Sequence, residues 1–334
     1  MASIREVAQL SGVSVATVSR VLNGTATVRE ETRQRVLERV RELDYIPNAA
    51  ARTLVRRRSQ VIGVVVNTGD THPDLKHPFF GEVLVGLRQA LGASHYDLLL
   101  FTERQGFLRR AAQHQLDGLV LMGVDRRDPD LRGLLDRRLP AMNVDLDVSG
   151  PRAGYVMSDN VGGARTATRH LIELGHLRIA TITGLSNTKP AIDRLRGYRQ
   201  ELLAHDLPYR TTYVRAGDFY SLSGHEQTRR LLALRRPPTA IFAASDEMAI
   251  GAVSAIHEAG LSVPHDVSVV GFDDIESASL LRPPLTTIRQ NKTALGQIAG
   301  ESLIRLIEDD DAKPPRIAVA VELIERSSAN PLSR

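Results

Sequence analysis

Five polar residues sit where a ligand could be held. The apolar run "AIFAAS" ends at Ser245 and Asp246, "VSVVGF" ends at Asp273 and Asp274, and Arg194 lies in "AIDRLRGY". Carboxylates accept hydrogen bonds from ligand hydroxyls, a guanidinium donates to ring oxygens or an anionic group, and Phe79, Phe80 or Phe219 can cover an apolar ring face. Taken singly, an Asp at such a position is also a helix cap or turn former. Asp273 and Asp274 could be paired catalytic carboxylates, yet no Ser–His arrangement or phosphate loop accompanies them, so no catalytic residue is assigned and an enzyme is not expected. In "NTGDTHPDLKHPFF", His72, Asp74 and His77 have metal-ligand types. Two His and one carboxylate without a fixed scaffold make a poor zinc site, so the stretch reads as a surface or cleft-edge loop, and no metal or cofactor is expected.

A second constellation lies near the N-terminus, in "SGVSVATVSRVLNG". Val, Ser and Thr are mediocre helix formers, so this helix must be held by packing. Val18, Val21 and Leu22 fall on one side, leaving Val15, Ala16, Thr17 and Arg20 exposed. Arg can make a bidentate contact with a guanine edge, small apolar side chains meet a thymine methyl, and hydroxyls reach phosphates.

The elements around that helix have helix-turn-helix spacing. A helix from Ile4 turns Val7 and Ala8 inward, Gly12 supplies the turn, and Ser14 can cap the second helix. A third helix, with a capping box from Thr27 to Glu30, carries the inward stripe Val36, Val40 and Leu43. Pro47 then breaks the chain, and Asn48 can cap a short helix over residues 49–55. At that length it needs support from a partner copy or a DNA groove. Leu54 suits a minor-groove wedge with Arg56, Arg57 and Arg58 near phosphates; the other reading is a flexible basic linker.

Charge separates the same segment from the rest. Residues 1–58 hold eleven Arg and six acidic residues, an excess of +5, whereas the remainder carries −1. That asymmetry fits a nucleic-acid-binding module on a near-neutral body, or a solvated basic face. From Gln60 onward, the runs "VIGVVV", "YDLLLF", "GLVLM", "LRIATIT", "AIFAAS" and "VSVVGF" alternate with helical segments at 81–91, 162–174, 247–259 and 293–307. This predicts two parallel sheets covered by helices, with a cleft beyond the strand ends. The chain has no cysteine. It has no apolar run near the ~18 residues of a membrane span, and Arg5 and Glu6 stand where a signal peptide is apolar, so a cytoplasmic protein is expected.

The stretches "IREVAQLSGVSVATVSRVLNG", "TRQRVLERVRELDYIPNAAARTL", "GHLRIATITG", "DRLRGY", "TAIFAASDEMAIGA", "VPHDVSVVGFDDI", "PLTTIRQ" and "ERSS" closely resemble the lac and gal repressor family of bacterial transcription regulators, over essentially the whole chain. The resemblance implies a helix-turn-helix domain over 1–46, a hinge helix and linker over 47–59, a two-lobed periplasmic-binding-protein-like α/β domain over 60–328 and a tail over 329–334. It places Val15, Ala16 and Arg20 at bases, Thr17, Ser19 and Asn23 near phosphates, and Leu54 at the operator centre. Arg194, Ser245 and Asp273 fall on effector contacts, as do Phe79, Asp145 and Gln290, and Phe219 matches a stacking aromatic. Ser245 stands where some sugar-sensing members carry Asn, and there is no Trp to stack on a sugar. The expected partners are a roughly palindromic double-stranded operator, a small effector of carbohydrate type and a second copy of the chain. A nucleobase or nucleoside corepressor is the alternative. No leucine-heptad tail follows Ser328, so a dimer is expected. A transport-type binding protein would share the body but would need an export signal and have no use for residues 1–58.

Overall fold

The computed structural model describes residues 2–23, 28–45, 58–66, 75–101 and 106–332. The chain divides into two units, Met1–Gln60 and Val61–Arg334.

The first unit holds α1 (Ile4–Ser11), α2 (Val15–Asn23) and α3 (Glu30–Glu42). Ser3 and Glu6 form a reciprocal capping box on α1, and Gly12 ends that helix at φ 65°, where a side chain would be strained. Ser14 Oγ accepts the Thr17 N–H at 3.1 Å, so the first turn of α2 is capped. Val7, Ala8, Val18, Val21 and Val36 form the core, with Leu22, Val40 and Leu43 packed around it. Thr27 of the expected capping box lies outside the described residues; α3 starts after Arg29, which makes no side-chain cap bond. Two acidic residues in its first turn, Glu30 and Glu31, favour the helix N-terminus electrostatically instead. The expected hinge helix, with Leu54, lies outside the described residues.

The second unit contains two six-stranded sheets. In the first lobe these are β1 (Val61–Val66), β2 (Asp97–Leu100), β3 (Gly118–Met122), β4 (Ala141–Val144) and β5 (Ala153–Ser158). The second lobe has β6 (Ile179–Thr183), β7 (Val214–Ala216), β8 (Ala240–Ala243), β9 (Ser268–Asp273) and β10 (Thr286–Gln290). The chain then adds β11 (Arg316–Val319) to the first sheet and β12 (Val321–Ile324) to the second. Strand orders are β11-β5-β4-β3-β1-β2 and β12-β10-β9-β8-β6-β7. Pairing is parallel throughout, except that β12 runs antiparallel to β10. The buried parallel strands are nearly continuous apolar runs, as two-sided burial requires.

Three segments therefore cross between the lobes: after β5, after β10 and between β11 and β12. The first and third are tied together where they meet, the Asp159 N–H donating to Val319 O at 2.9 Å. The Lys292–Glu308 helix follows the second crossing and packs on the Pro78–Ala93 helix of the first lobe. A Cβ on Gly86 or Gly296 would lie 1.9 Å from a carbonyl oxygen of the opposite helix, so only glycine permits this close crossing. The segment from Ala329 to Leu332 packs on the second lobe. Ala329 is buried, the Asn330 N–H donates to Ser268 Oγ at 3.1 Å and the Leu332 N–H to Leu174 O at 2.9 Å, which fixes the segment to the second lobe as far as Leu332. Among the described residues, no helix is long and apolar enough to cross a membrane.

Candidate functional site

A solvent-accessible cleft lies between the two lobes. Strand ends supply its polar groups, as expected for ligand sites beyond the carboxyl ends of parallel strands. Asp145 follows β4, while Asp273 and Gln290 are the last residues of β9 and β10. Phe79, Phe80, Val124 and Leu146 wall it from the first lobe, and Pro190 and Phe219 from the second. Phe219 is held at φ 75° over Gly184, where a Cβ would meet the ring at 1.9 Å.

Arg194 is the buried cation of the site, 3% exposed. Its guanidinium lies 3.8 Å from the centre of the Phe272 ring. Nε donates to Asn160 Oδ1 at 2.8 Å, and one terminal nitrogen donates to Ala244 O and faces Asp273 Oδ1 at 3.6 Å. Gln290 Nε2 donates to the same Asp273 oxygen at 2.6 Å. Lys292, buried at the second crossing, donates from Nζ to Asp273 O at 2.6 Å and Asp274 O at 3.1 Å, and pairs with Glu82 of the first lobe at 3.3 Å. It thereby holds two residues at positive φ, 130° and 53°. Backbone held in sparsely populated regions clusters at binding sites.

Three acceptors at the cleft have no partner among the described residues: Asp145 Oδ1, Asp273 Oδ2 and Gln290 Oε1. Buried polar atoms are nearly always satisfied, so a polar occupant, a ligand or water, is expected to supply the missing donors. Burial pushes the Asp145 carboxyl up to about 6; Arg194 opposes that rise and Asp273 adds to it. The folded state thus holds this proton more tightly than the unfolded chain, whose value is 3.8. The resulting stabilisation is complete below 3.8 and is lost as pH rises through about 6. Asp145→Asn should escape that loss. Its melting temperature relative to the wild type should rise between pH 4 and pH 7. A pH-independent difference would contradict the assignment.

Six of the seven expected effector residues, Phe79, Asp145, Arg194, Phe219, Asp273 and Gln290, are brought together on this cleft. Ser245 is not on its wall. It is fully buried, accepts the Met248 N–H at 3.2 Å to cap the Asp246–Glu258 helix, and donates to Phe219 O at 3.0 Å, so it sets the position of the aromatic. Asp246 accepts from Ile275 N–H at 2.9 Å and Thr287 Oγ1 at 2.5 Å, and burial raises its pKa. Asp274 turns away from Asp273 to Arg289 and Arg326, at 2.7 and 2.6 Å. Burial works against its charge, but the two guanidiniums overcome that and hold it below the usual carboxylate range.

Sequence reasoning missed His77, Asn187 and Lys189 on the cleft, and Asn160 and Lys292 behind it. Asn187 donates to Asp125 Oδ2 at 3.1 Å and Lys189 pairs with Asp147 at 3.3 Å, so both join the lobes at the cleft edge. No grouping of three metal-ligating side chains occurs among the described residues; His72 and Asp74 lie outside them. In the first unit, Val15, Ala16 and Arg20 are exposed on α2 and Thr17 and Ser19 are half-buried; the Asn23 side chain is outside the described set.

The family model for lacI-family bacterial regulatory proteins matches residues 3–48, and that for periplasmic binding protein-like domains matches residues 168–329. The chain is 37% identical to the HTH-type transcriptional regulator CelR of Thermobifida fusca, over 98% of each chain. It is 35% identical to the HTH-type transcriptional repressor PurR of Aliivibrio fischeri, over 99% of each. A solved complex of the transcriptional regulator CelR with cellobiose is 34% identical with a TM-score of 0.74, covering 98% of this chain and 100% of the other. The lac repressor dimer bound to operator and the anti-inducer ONPF is 30% identical with a TM-score of 0.87, covering 98% and 99%.

Proposed function

This chain belongs to the LacI family of bacterial regulatory proteins, and from that premise we propose that it is a sequence-specific transcriptional repressor whose operator affinity is set by a small carbohydrate held between its two lobes. The observation that carries the carbohydrate is the set of three unpartnered acceptors, Asp145 Oδ1, Asp273 Oδ2 and Gln290 Oε1, beside Arg194 and between apolar walls. A sugar offers a row of hydroxyl donors and an apolar ring face, whereas hypoxanthine, for example, has two N–H groups for three acceptors. The cellobiose-bound relative supports that choice, and the PurR relatives keep a nucleobase or nucleoside corepressor as the second reading.

In this reading Val15, Ala16 and Arg20 meet base edges, Thr17, Ser19 and Asn23 meet phosphates, and Leu54 enters the minor groove. Two copies present their recognition helices to a roughly palindromic site. Ligand in the cleft alters how the lobes meet, and a coupling of about 1–3 kcal/mol changes operator affinity about 5- to 150-fold. The protein acts on DNA in the cytoplasm as a binding protein, with no cofactor.

Thermal unfolding with cellobiose, glucose, ribose, hypoxanthine and guanine tests the ligand class. A ligand at 100 times its Kd stabilises the native state by about 2.7 kcal/mol. A rise with a sugar is expected; a rise with a purine alone would replace the carbohydrate by the corepressor reading.

A further inference from the structure

We propose that His77 is a specificity-determining residue of the cleft, its Nε2–H donating to an acceptor oxygen of the effector, a hydroxyl or an ether. The inference rests on the carbohydrate reading above and adds to it a residue and a chemical group.

His77 precedes Pro78 and caps the Pro78–Ala93 helix, its Nδ1 accepting the Phe79 N–H at 3.4 Å. A nitrogen that accepts cannot also carry the proton, so the neutral ring must be protonated at Nε2. Aromatic rings pack against it from both lobes. Its edge meets Phe80 at 6.4 Å from the first lobe and Tyr220 at 5.8 Å from the second, with interplanar angles of 72° and 75°. The residue is 4% exposed and lines the cleft, yet Nε2 has no hydrogen-bond partner among the described residues. A donor fixed in place, buried and unsatisfied is uncommon in native proteins.

The remaining orphans of the cleft define what His77 adds. Asp145, Asp273 and Gln290 present acceptors and so call for hydroxyl donors. His77 presents a donor and calls for an acceptor. A sugar carries both: hydroxyl hydrogens for the first set and hydroxyl or ether oxygens for the second. A site built around a buried donor discriminates strongly against an analogue lacking the matching acceptor, because the donor is then left unpaired.

The test compares wild type with His77→Ser, which keeps an oxygen to cap Phe79 N–H but withdraws the group at the Nε2 position. The probe is whichever of cellobiose, glucose or ribose stabilises the wild type most, measured by titration calorimetry. His77→Ser should weaken its binding about tenfold, the loss of one buried hydrogen bond. Binding within about twofold of wild type, in a variant that melts cooperatively, would overturn the role of His77 and leave the carbohydrate reading intact. If no sugar binds the wild type, both fall. Should the variant fail to fold, nitrogen-15 NMR of the wild-type histidines supplies the reading: His77 should carry its proton on Nε2 and that resonance should shift with probe. A proton on Nδ1, or an Nε2 signal indifferent to saturating probe, would overturn the proposal.

Discussion

Arg20→Ala is expected to weaken operator binding by about 1–3 kcal/mol in each subunit, which for a dimer is roughly 30-fold to 10⁴-fold, while binding to random DNA stays nearly constant. The helix around it is packed by Val18 and Val21, both buried, so its exposed face is a fixed surface. Arg20 is the cation on that face among the small residues Val15, Ala16 and Thr17. A bidentate guanidinium contact to a guanine specifies sequence, whereas a phosphate contact adds similar affinity on any sequence and steepens the salt dependence. Binding isotherms on a wild-type-selected operator and on random DNA, at several salt concentrations, separate the two. Equal losses on both would mean that Arg20 touches only the backbone.

The second large effect is expected at Arg194. Arg194→Met removes the buried cation facing Asp273 and Asp145, and breaking such a pair from one side destabilises by about 3–5 kcal/mol because charge is left uncompensated. The second lobe should therefore melt earlier, and response to the cleft ligand should disappear. Asp273→Asn, which keeps the shape and loses only the charge, should weaken ligand binding with a smaller loss of stability. Ligand titrations beside melting curves check both. An unchanged half-maximal ligand concentration in a stably folded variant would remove that residue from the site.

Much of this was legible because the signals are local. Val7, Ala8, Val18 and Val21 repeat at helical spacing, and Gly12 marks a turn that needs positive φ. Long apolar runs such as those of β1, β3, β8 and β9 announced buried parallel strands. Less legible were β4, β7, β10, β11 and β12, short strands of which several contain polar residues and owe their existence to neighbours far along the chain. The same cause separates Asp246 from Asp273. Both sit where apolar strands give way, but tertiary packing turns Asp246 toward Ile275 N–H and Thr287 and Asp273 toward the cleft. Ser245 reads equally as cap or ligand contact in sequence, and only the fold places it behind Phe219. His77 looked like part of a metal-type loop because its spacing from His72 and Asp74 was visible, while its cap on Phe79 and contact with Tyr220 were not.

The central claim is that the cleft and the recognition helix are linked through one equilibrium. The most direct measurement is the operator Kd of the wild-type protein, by fluorescence anisotropy, without and with a saturating concentration of the sugar that stabilises it. The account predicts at least about a fivefold change, in either direction, and a matching change in sugar affinity when operator is present, since linkage is reciprocal. The same operator Kd with an empty and a saturated cleft would contradict it.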